Sequence, residues 1–290
     1  MSNRMKQTMD PSSPPSEIIR IRTSRRTYVP EPLPDEIRQA VEQKIHAIPT
    51  GPLGTKIEFT LISLDEVSDQ KLKLGTYGFI RGARYFIAGQ IIPSRAGFLD
   101  YGYILERLIL ELTRMGLGTC WLGGTFDRSE FAKAIGLKEG QVIPAITPVG
   151  YATANRGLGD RMIRLGAGSK NRLPLERLFF DGSSGSPLAF PAGHPLQQIL
   201  DAVQTAPSAS NNQPWRIIRD GNLFRFHIAR KPGYQKAFSH VDMQMIDMGI
   251  AMSHFDQVAR ENKRHPEWKI SPGIPPFEEW EYVISVFLPD

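Results

Sequence analysis

Ala206-Pro-Ser-Ala-Ser-Asn-Asn-Gln-Pro-Trp215 is the stretch on which the reading of this chain turns. It joins a helix-like segment at 194–205 to a strand-like one at 215–219. Its two prolines fix φ and hold the residues before them extended. Between them Ser208, Ser210, Asn211, Asn212 and Gln213 carry hydroxyls and amides, with donors and acceptors facing in several directions. A connector needs only a turn, and a turn capped by its own Ser and Asn side chains is the plain reading. The other reading is a polar wall for a planar ligand rich in heteroatoms.

Moving outward, the hydrophobic pattern after this stretch gives a strand, an Asp220-Gly221 turn, a strand at 223–229, a helix at 242–260 and a last strand at 281–288. Before it, Asp181-Gly-Ser-Ser-Gly-Ser-Pro187 has the composition of a flexible linker. Further upstream comes a similar order: a helix from Leu33-Pro34-Asp35, a strand at 57–62, a buried strand at 83–89, a helix at 99–115 and a strand at 144–151. The helix at 99–115 is apolar around most of its circumference, which marks it as a core helix. The division expected is a disordered tail over 1–16, a first half over 17–180, a linker over 181–193 and a second half over 194–290. Identity between the halves is too low to prove a repeat, so the expectation rests on element order.

Three more stretches of the first half carry chemistry. Arg20, Arg22, Thr23, Ser24, Arg25 and Arg26 place four guanidinium groups and two hydroxyls within seven positions. Arginine forks and hydroxyls suit a phosphate, although a basic run is also a common solvated surface. Gly116-Leu-Gly-Thr-Cys-Trp-Leu-Gly-Gly124 ends the core helix, with Gly116 suited to a left-handed cap. Its Gly123-Gly124 pair lets bare backbone N–H groups approach a ligand. Ser169-Lys-Asn-Arg-Leu-Pro-Leu175 spaces two cations, Lys170 and Arg172, by one residue. On extended chain they point the same way and can share an anion.

These stretches, with Ala-Pro-Ser-x-x-Asn-x-Gln-Pro-Trp, together resemble the nitroreductase family of flavin enzymes over about residues 17–260. The likeness is greatest to its two-repeat, single-chain branch. The resemblance implies an α+β nitroreductase fold: two tandem halves, each with a central mixed or antiparallel sheet flanked by helices, forming a pseudo-dimer in one chain. It implies one FMN at the interface of the halves. Arg22, Thr23, Ser24 and Arg26, with Lys170 and Arg172, would hold its phosphate and ribityl chain. Trp121, Leu122, Gly123 and Gly124 would lie against the isoalloxazine, and Pro207, Ser208, Ala209 and Asn211 would reach it from the other half. The chain departs from several family members, which have Pro and Glu where it has Trp121 and Gly123. The first half lacks an Ala-Pro-Ser loop, showing Thr50-Gly-Pro-Leu-Gly54 in its place. The second half has Arg260-Glu-Asn-Lys-Arg264 where a Gly-Leu-Gly loop would stand. The family implies ping-pong transfer of hydride from NADH or NADPH through flavin N5 to a nitroaromatic or quinone, with no protein acid or base as a catalytic residue. A flavin-binding sensor or store with little turnover is the alternative, and a colourless protein with purely structural loops is a third.

Composition bounds the rest. The 290 residues suffice for one large or two small domains, and the net charge of +5 favours anionic ligands without arguing for nucleic acid. No nucleic-acid motif and no long apolar run appear, so neither a nucleic-acid partner nor a membrane span is expected. No signal peptide is expected either. The single cysteine, Cys120, leaves no partner for a disulfide or a CxxC metal site, has no nearby base, and fits a reducing cytoplasm. No metal is expected. His240 and His254 read as surface or core residues, and the pseudo-dimer is expected to act as a monomer.

Overall fold

The computed structural model describes residues 10, 12–69, 74–154, 171–183, 185–188, 190–191, 193–233 and 240–289. Helices α1 (Pro15–Ile21) and α2 (Asp35–Ala47) precede strand β1 (Glu58–Ser63), helix α3 (Leu64–Asp69) and strand β2 (Tyr85–Gln90). The core helix α4 (Arg95–Arg114) follows, then β3 (Gly118–Thr119), α5 (Arg128–Ala134) and β4 (Ile146–Gly150). After β5 (Phe179–Asp181) come α6 (Pro195–Gln204), β6 (Trp215–Asp220), β7 (Leu223–Ile228), the second core helix α7 (Met243–Glu261), β8 (Glu267–Lys269) and β9 (Glu281–Phe287).

Two sheets result. The first has the order β1-β2-β4-β3 and is antiparallel throughout. The second has the order β5-β6-β7-β9-β8, with β5 parallel to β6 and every other pair antiparallel. Helices α4 and α7 lie against one another, and their apolar residues join both halves in one large core. Each is apolar on most sides because each is covered on most sides.

The contact between these helices shows an internal twofold relation. A side chain at Gly102 of α4 would strike the carbonyl oxygen of Ile246, and one at Gly249 of α7 would strike that of Leu99. In both cases the carbonyl stands three residues before the opposing glycine. The two helices therefore pass in opposite directions with backbone against backbone. The same relation sets Gly116 beside Lys263, both in left-handed conformation just beyond their helices (φ 76° and 60°). The Lys263 site keeps the geometry of the glycine cap without the glycine, which is why Arg260-Glu-Asn-Lys-Arg264 did not look like its counterpart.

Two expectations about the ends of the halves change. The stretch read as a disordered tail through Ser16 contains the start of α1: Pro15 occupies its first turn, where a missing N–H costs nothing. Ser16 binds Glu261 at the far end of α7, its backbone N–H and hydroxyl donating to the two carboxylate oxygens at 2.8 and 2.7 Å. The arm that opens the chain is thus anchored on the second half. The expected linker also starts differently, because Asp181 and its neighbours turn back on β5. Gly185 N–H donates to Asp181 O (2.8 Å), Ser183 N–H to the Asp181 carboxylate (3.0 Å) and Leu188 N–H to Phe179 O (2.9 Å). The composition of a flexible linker and that of an Asp-capped turn are the same. Strand β8 was not expected, being short and mostly exposed.

Candidate functional site

The Ala206–Trp215 stretch is a loop whose backbone is bent sharply at Ser210, Asn211 and Gln213, all with positive φ (52°, 54° and 47°). Non-glycine residues rarely adopt this region, and clusters of them mark places where surrounding contacts dictate the shape. The contacts are visible here. Gln213, 2% exposed, accepts the Leu173 N–H on Oε1 (2.8 Å) and donates from Nε2 to Asn171 O (3.2 Å). Its own N–H donates to Ser208 Oγ at 2.9 Å. Arg172 donates to Asn211 Oδ1 (2.5 Å) and to Thr205 O (2.9 Å). The loop and the 171–173 segment are therefore built as one unit. Changing Gln213 to Ala is expected to unpair the Leu173 N–H and to leave Asn171 O with the Asn211 side-chain amide alone. The measurable result is a loss of about 1 to 3 kcal/mol in denaturant unfolding together with looser anion binding through Arg172.

The arginine arm reaches the same place from the opposite side. Ser24 forms a parallel bridge with Thr119 of β3, and Arg25 N–H donates to Thr119 O at 2.8 Å. This pins the arm beside the glycine-rich loop. Arg25 itself packs beside Gly118, while Arg22 and Arg26 face the other way.

Together these pieces enclose a cavity of about 600 Å³. Arg22, Thr23, Ser24 and Arg26 line it, as do Trp121, Leu122, Gly123 and Gly124, Arg172, and Pro207, Ser208, Ala209 and Asn211. Lys170 lies outside the described residues. Residues distant in sequence and belonging to both halves thus meet around one space. Arg20 of the arginine run lines it too, as do Phe79, Met243, Ile246, Asp247 and Ile250, for which the sequence suggested no binding role. The signal for the α7 residues was present only as an i, i+3, i+4, i+7 spacing, and core packing uses the same spacing.

The cavity has two characters. Its cationic members are Arg20, Arg22, Arg26 and Arg172. Burial pulls the Arg172 guanidinium down to about 10, and the nearby Arg22 charge adds to this. Arg172 remains protonated at neutral pH, so two like charges are held together in a partly dry site, an arrangement that an anion relieves. Its apolar members are Trp121, Leu122, Met243, Ile246 and Ile250. At Gly123 the Met243 thioether end occupies the space a side chain would need. A side chain there would have to displace the end of this flexible methionine.

Beneath this wall lies a buried polar cluster. Trp121 Nε1 donates to Glu106 Oε2 at 2.6 Å. Glu106 Oε1 stands 3.4 Å from Arg22 Nε and 3.0 Å from His254 Nε2. His254 Nδ1 faces the Ala202 carbonyl at 2.8 Å, which fits a hydrogen on that nitrogen. Burial alone would raise the Glu106 carboxyl. The His254 ring, the Arg22 charge and the Trp121 N–H hold it below the usual carboxylate value. His254 is a core residue and His240 an exposed one. Cys120 is buried in a smaller core cluster with Phe126 and Phe131.

A family model described as "Putative TM nitroreductase" matches residues 16–259. The chain belongs to this nitroreductase family. Among solved structures, this nitroreductase is similar to a putative nitroreductase from Thermotoga maritima, with a TM-score of 0.62 and 20% identity over 99% of both chains. That likeness shows the same fold from end to end. A nitroreductase with bound FMN from Desulfitobacterium hafniense is 20% identical with a TM-score of 0.41, covering 51% of this chain and 92% of its own. A putative NADH dehydrogenase/NAD(P)H nitroreductase from Bacteroides thetaiotaomicron is 23% identical with a TM-score of 0.38, covering 49% of this chain and 88% of its own. No curated protein matches this nitroreductase. Among the described residues, no helix is long and apolar enough to cross a membrane.

Proposed function

We propose that this nitroreductase is an FMN-dependent oxidoreductase that uses NAD(P)H to reduce a nitroaromatic or quinone-type acceptor by a ping-pong mechanism, acting as a monomer in the cytoplasm. The observation that carries the proposal is the convergence of the arginine arm, the glycine-rich loop, Arg172 and the 206–215 loop on one cavity lined by both arginines and apolar side chains. Its volume of about 600 Å³ lies in the range of small-molecule and cofactor sites. The residues fit FMN, whose phosphate calls for the first character and whose ring calls for the second.

FMN, when bound, supplies a two-electron carrier that accepts hydride from NAD(P)H and passes it to the acceptor. The chain's own residues bind and orient. Arg22, Arg26 and Arg172 neutralise the phosphate, joined by Lys170 from the adjoining segment, and Thr23 and Ser24 offer hydroxyls beside it. Gly123 and Gly124 present bare backbone to the ring edge, while Trp121 and Leu122 give it an apolar face. Pro207, Ser208, Ala209 and Asn211 close the site from the second half. The division into two halves fused from a dimer, meeting after residue 180, is part of the same proposal.

One observation favours the alternative, a flavin-binding sensor or store. Met243 stands against Gly123, where a nicotinamide would need room. A visible spectrum of the purified protein separates the readings. A flavin band that NADH or NADPH bleaches anaerobically, and that a quinone or nitroaromatic restores, is the expected result. A bound flavin that neither nucleotide reduces would favour the store. No flavin after reconstitution would overturn both.

Phosphate recognition has its own test. Saturating FMN at about a hundred times its Kd is expected to stabilise the fold by about 2.7 kcal/mol, and riboflavin at the same concentration by much less. Arg172→Ala is expected to weaken FMN roughly tenfold or more while leaving riboflavin little changed. Thermal unfolding with each ligand is the measurement. Equal stabilisation by both ligands in the unaltered protein would remove the phosphate from the argument.

A further inference from the structure

Asp247 lies in the second turn of α7 and is used by nothing described so far. Its Oδ1 accepts the Ala209 N–H at 2.9 Å, and its Oδ2 is buried with no partner among the described residues. The residue is 2% exposed and forms part of the cavity wall. A buried polar atom without a partner is rare and calls for an explanation.

The other half of the chain supplies a comparison. The relation that exchanges Gly102 and Gly249 also exchanges Asp100 and Asp247, each two residues before its glycine. Asp100 is fully engaged by the loop that stands where the first half lacks Ala-Pro-Ser. Its Oδ1 accepts the Leu53 N–H at 3.1 Å and its Oδ2 the Thr55 N–H at 2.8 Å. A side chain at Gly51 would strike its carboxyl group, so the loop fits closely over it. One position in the fold thus ties a helix to its neighbouring loop in both halves. In the first half both oxygens serve the loop. In the second only one does, and the spare one belongs to the residue that borders the cavity.

We propose that Asp247 is a ligand-contacting residue whose Oδ2 binds a hydrogen-bond acceptor on the planar ring system held in the cavity. The proposal rests on the flavin reading given above. In the protonated form Oδ1, which faces an N–H, is the carbonyl oxygen and Oδ2 carries the proton. Burial pushes this carboxyl well above the usual carboxylate range, and the charge of Asp242 on the same helix adds to the effect. The protonated carboxyl would be an O–H donor, and the carbonyl oxygens and bare nitrogens along an oxidised isoalloxazine edge are acceptors. The other charged groups facing the cavity are Arg20, Arg22 and Arg26 on the arm and Arg172 on the neighbouring segment. They draw Asp247 toward ionisation, which would turn the donor into an anion facing acceptors.

The test is the Kd of FMN, measured by flavin fluorescence from neutral to alkaline pH, for the unaltered protein, Asp247→Asn and Asp247→Ala. Asn keeps an acceptor for Ala209 and places an NH2 donor where Oδ2–H stood, with no proton to lose. Asp247→Ala is expected to bind FMN about tenfold more weakly, and Asp247→Asn within about threefold of the original. The unaltered protein is expected to lose affinity as pH rises through the ionisation of Asp247, whereas Asp247→Asn lacks that loss. Ionisation of FMN itself occurs in both proteins and cancels in the comparison. Asp247→Asn weakened as much as Asp247→Ala, or a pH profile shared by Asp247→Asn and the unaltered protein, would overturn the proposal while FMN binding persists. If the Ala variant does not fold, the comparison of Asn with the unaltered protein still decides. Failure of the unaltered protein to bind FMN at all would overturn the flavin reading, and this proposal with it.

Discussion

Gly249→Ala is expected to destabilise the protein by about 3 kcal/mol, the upper part of the range for overpacking, because the new methyl meets backbone rather than a movable side chain. Alanine is the better helix former by about 1 kcal/mol, so propensity argues for the opposite sign. Position decides between them. The Leu99 carbonyl fills the space a Cβ would take, and that carbonyl is fixed in α4 by its own helical hydrogen bonding. The only relief is to move α4 and α7 apart, which loosens the largest interface in the molecule. Gly102→Ala should behave the same way through Ile246. The double variant should cost less than the sum, since helices already parted by one methyl have room for the other. Denaturant unfolding midpoints of the three variants check this. A loss of only a few tenths of a kcal/mol at Gly249 would show that the helices are not in backbone contact.

The second large effect is expected at Glu106. Glu106→Leu leaves Arg22, His254 and the Trp121 indole N–H without their shared acceptor in a dry interior, a change of about 3 to 5 kcal/mol by comparison with other broken buried ion pairs. Glu106→Gln keeps the shape and one acceptor oxygen and should cost less. A pH dependence accompanies this. The Glu106 carboxyl has its folded value held below the ordinary one, so the unfolded chain binds its proton more readily. The stability it contributes is present above the ordinary carboxylate value and is lost as pH falls through the lower, folded one. Glu106→Gln should therefore flatten part of the acid limb of the stability profile. Urea unfolding at neutral and acid pH measures this, and an unchanged acid limb would mean that other carboxylates govern it. Trp121 fluorescence should shift in both variants, because its N–H partner changes.

Much of this was legible in the sequence for reasons that differ by residue. Arg22, Arg26, Arg172 and the 206–215 loop stand out because charged and amide side chains are crowded there at close spacing. Helix α4 is legible because burial on all sides leaves an apolar run that no surface helix shows. Asp247 and Glu106 were not legible. An acidic residue in an amphipathic stretch ordinarily faces water, and only the three-dimensional packing of α4 against α7 reveals that these two face the interior. The turn at Asp181 was misread as a linker because its Gly and Ser content serves either purpose, and the partner that decides, β5, is only three residues long. The arm's anchor at Glu261 was hidden for a similar reason: a polar serine near a chain end predicts nothing about a carboxylate 245 positions away.

The Ser16–Glu261 link and the covalent joining of both cavity walls have a consequence for how the site responds to dilution. When walls come from separate molecules, they part as concentration falls, by mass action. Here the opposing wall of the cavity belongs to the same chain and is tethered at a fixed effective concentration. The same joining lifts the constraint of symmetry. A change at Asp100 or in the 50–55 loop alters that position alone, while its counterpart at Asp247 and the 206–215 loop beside the cavity stays as it was.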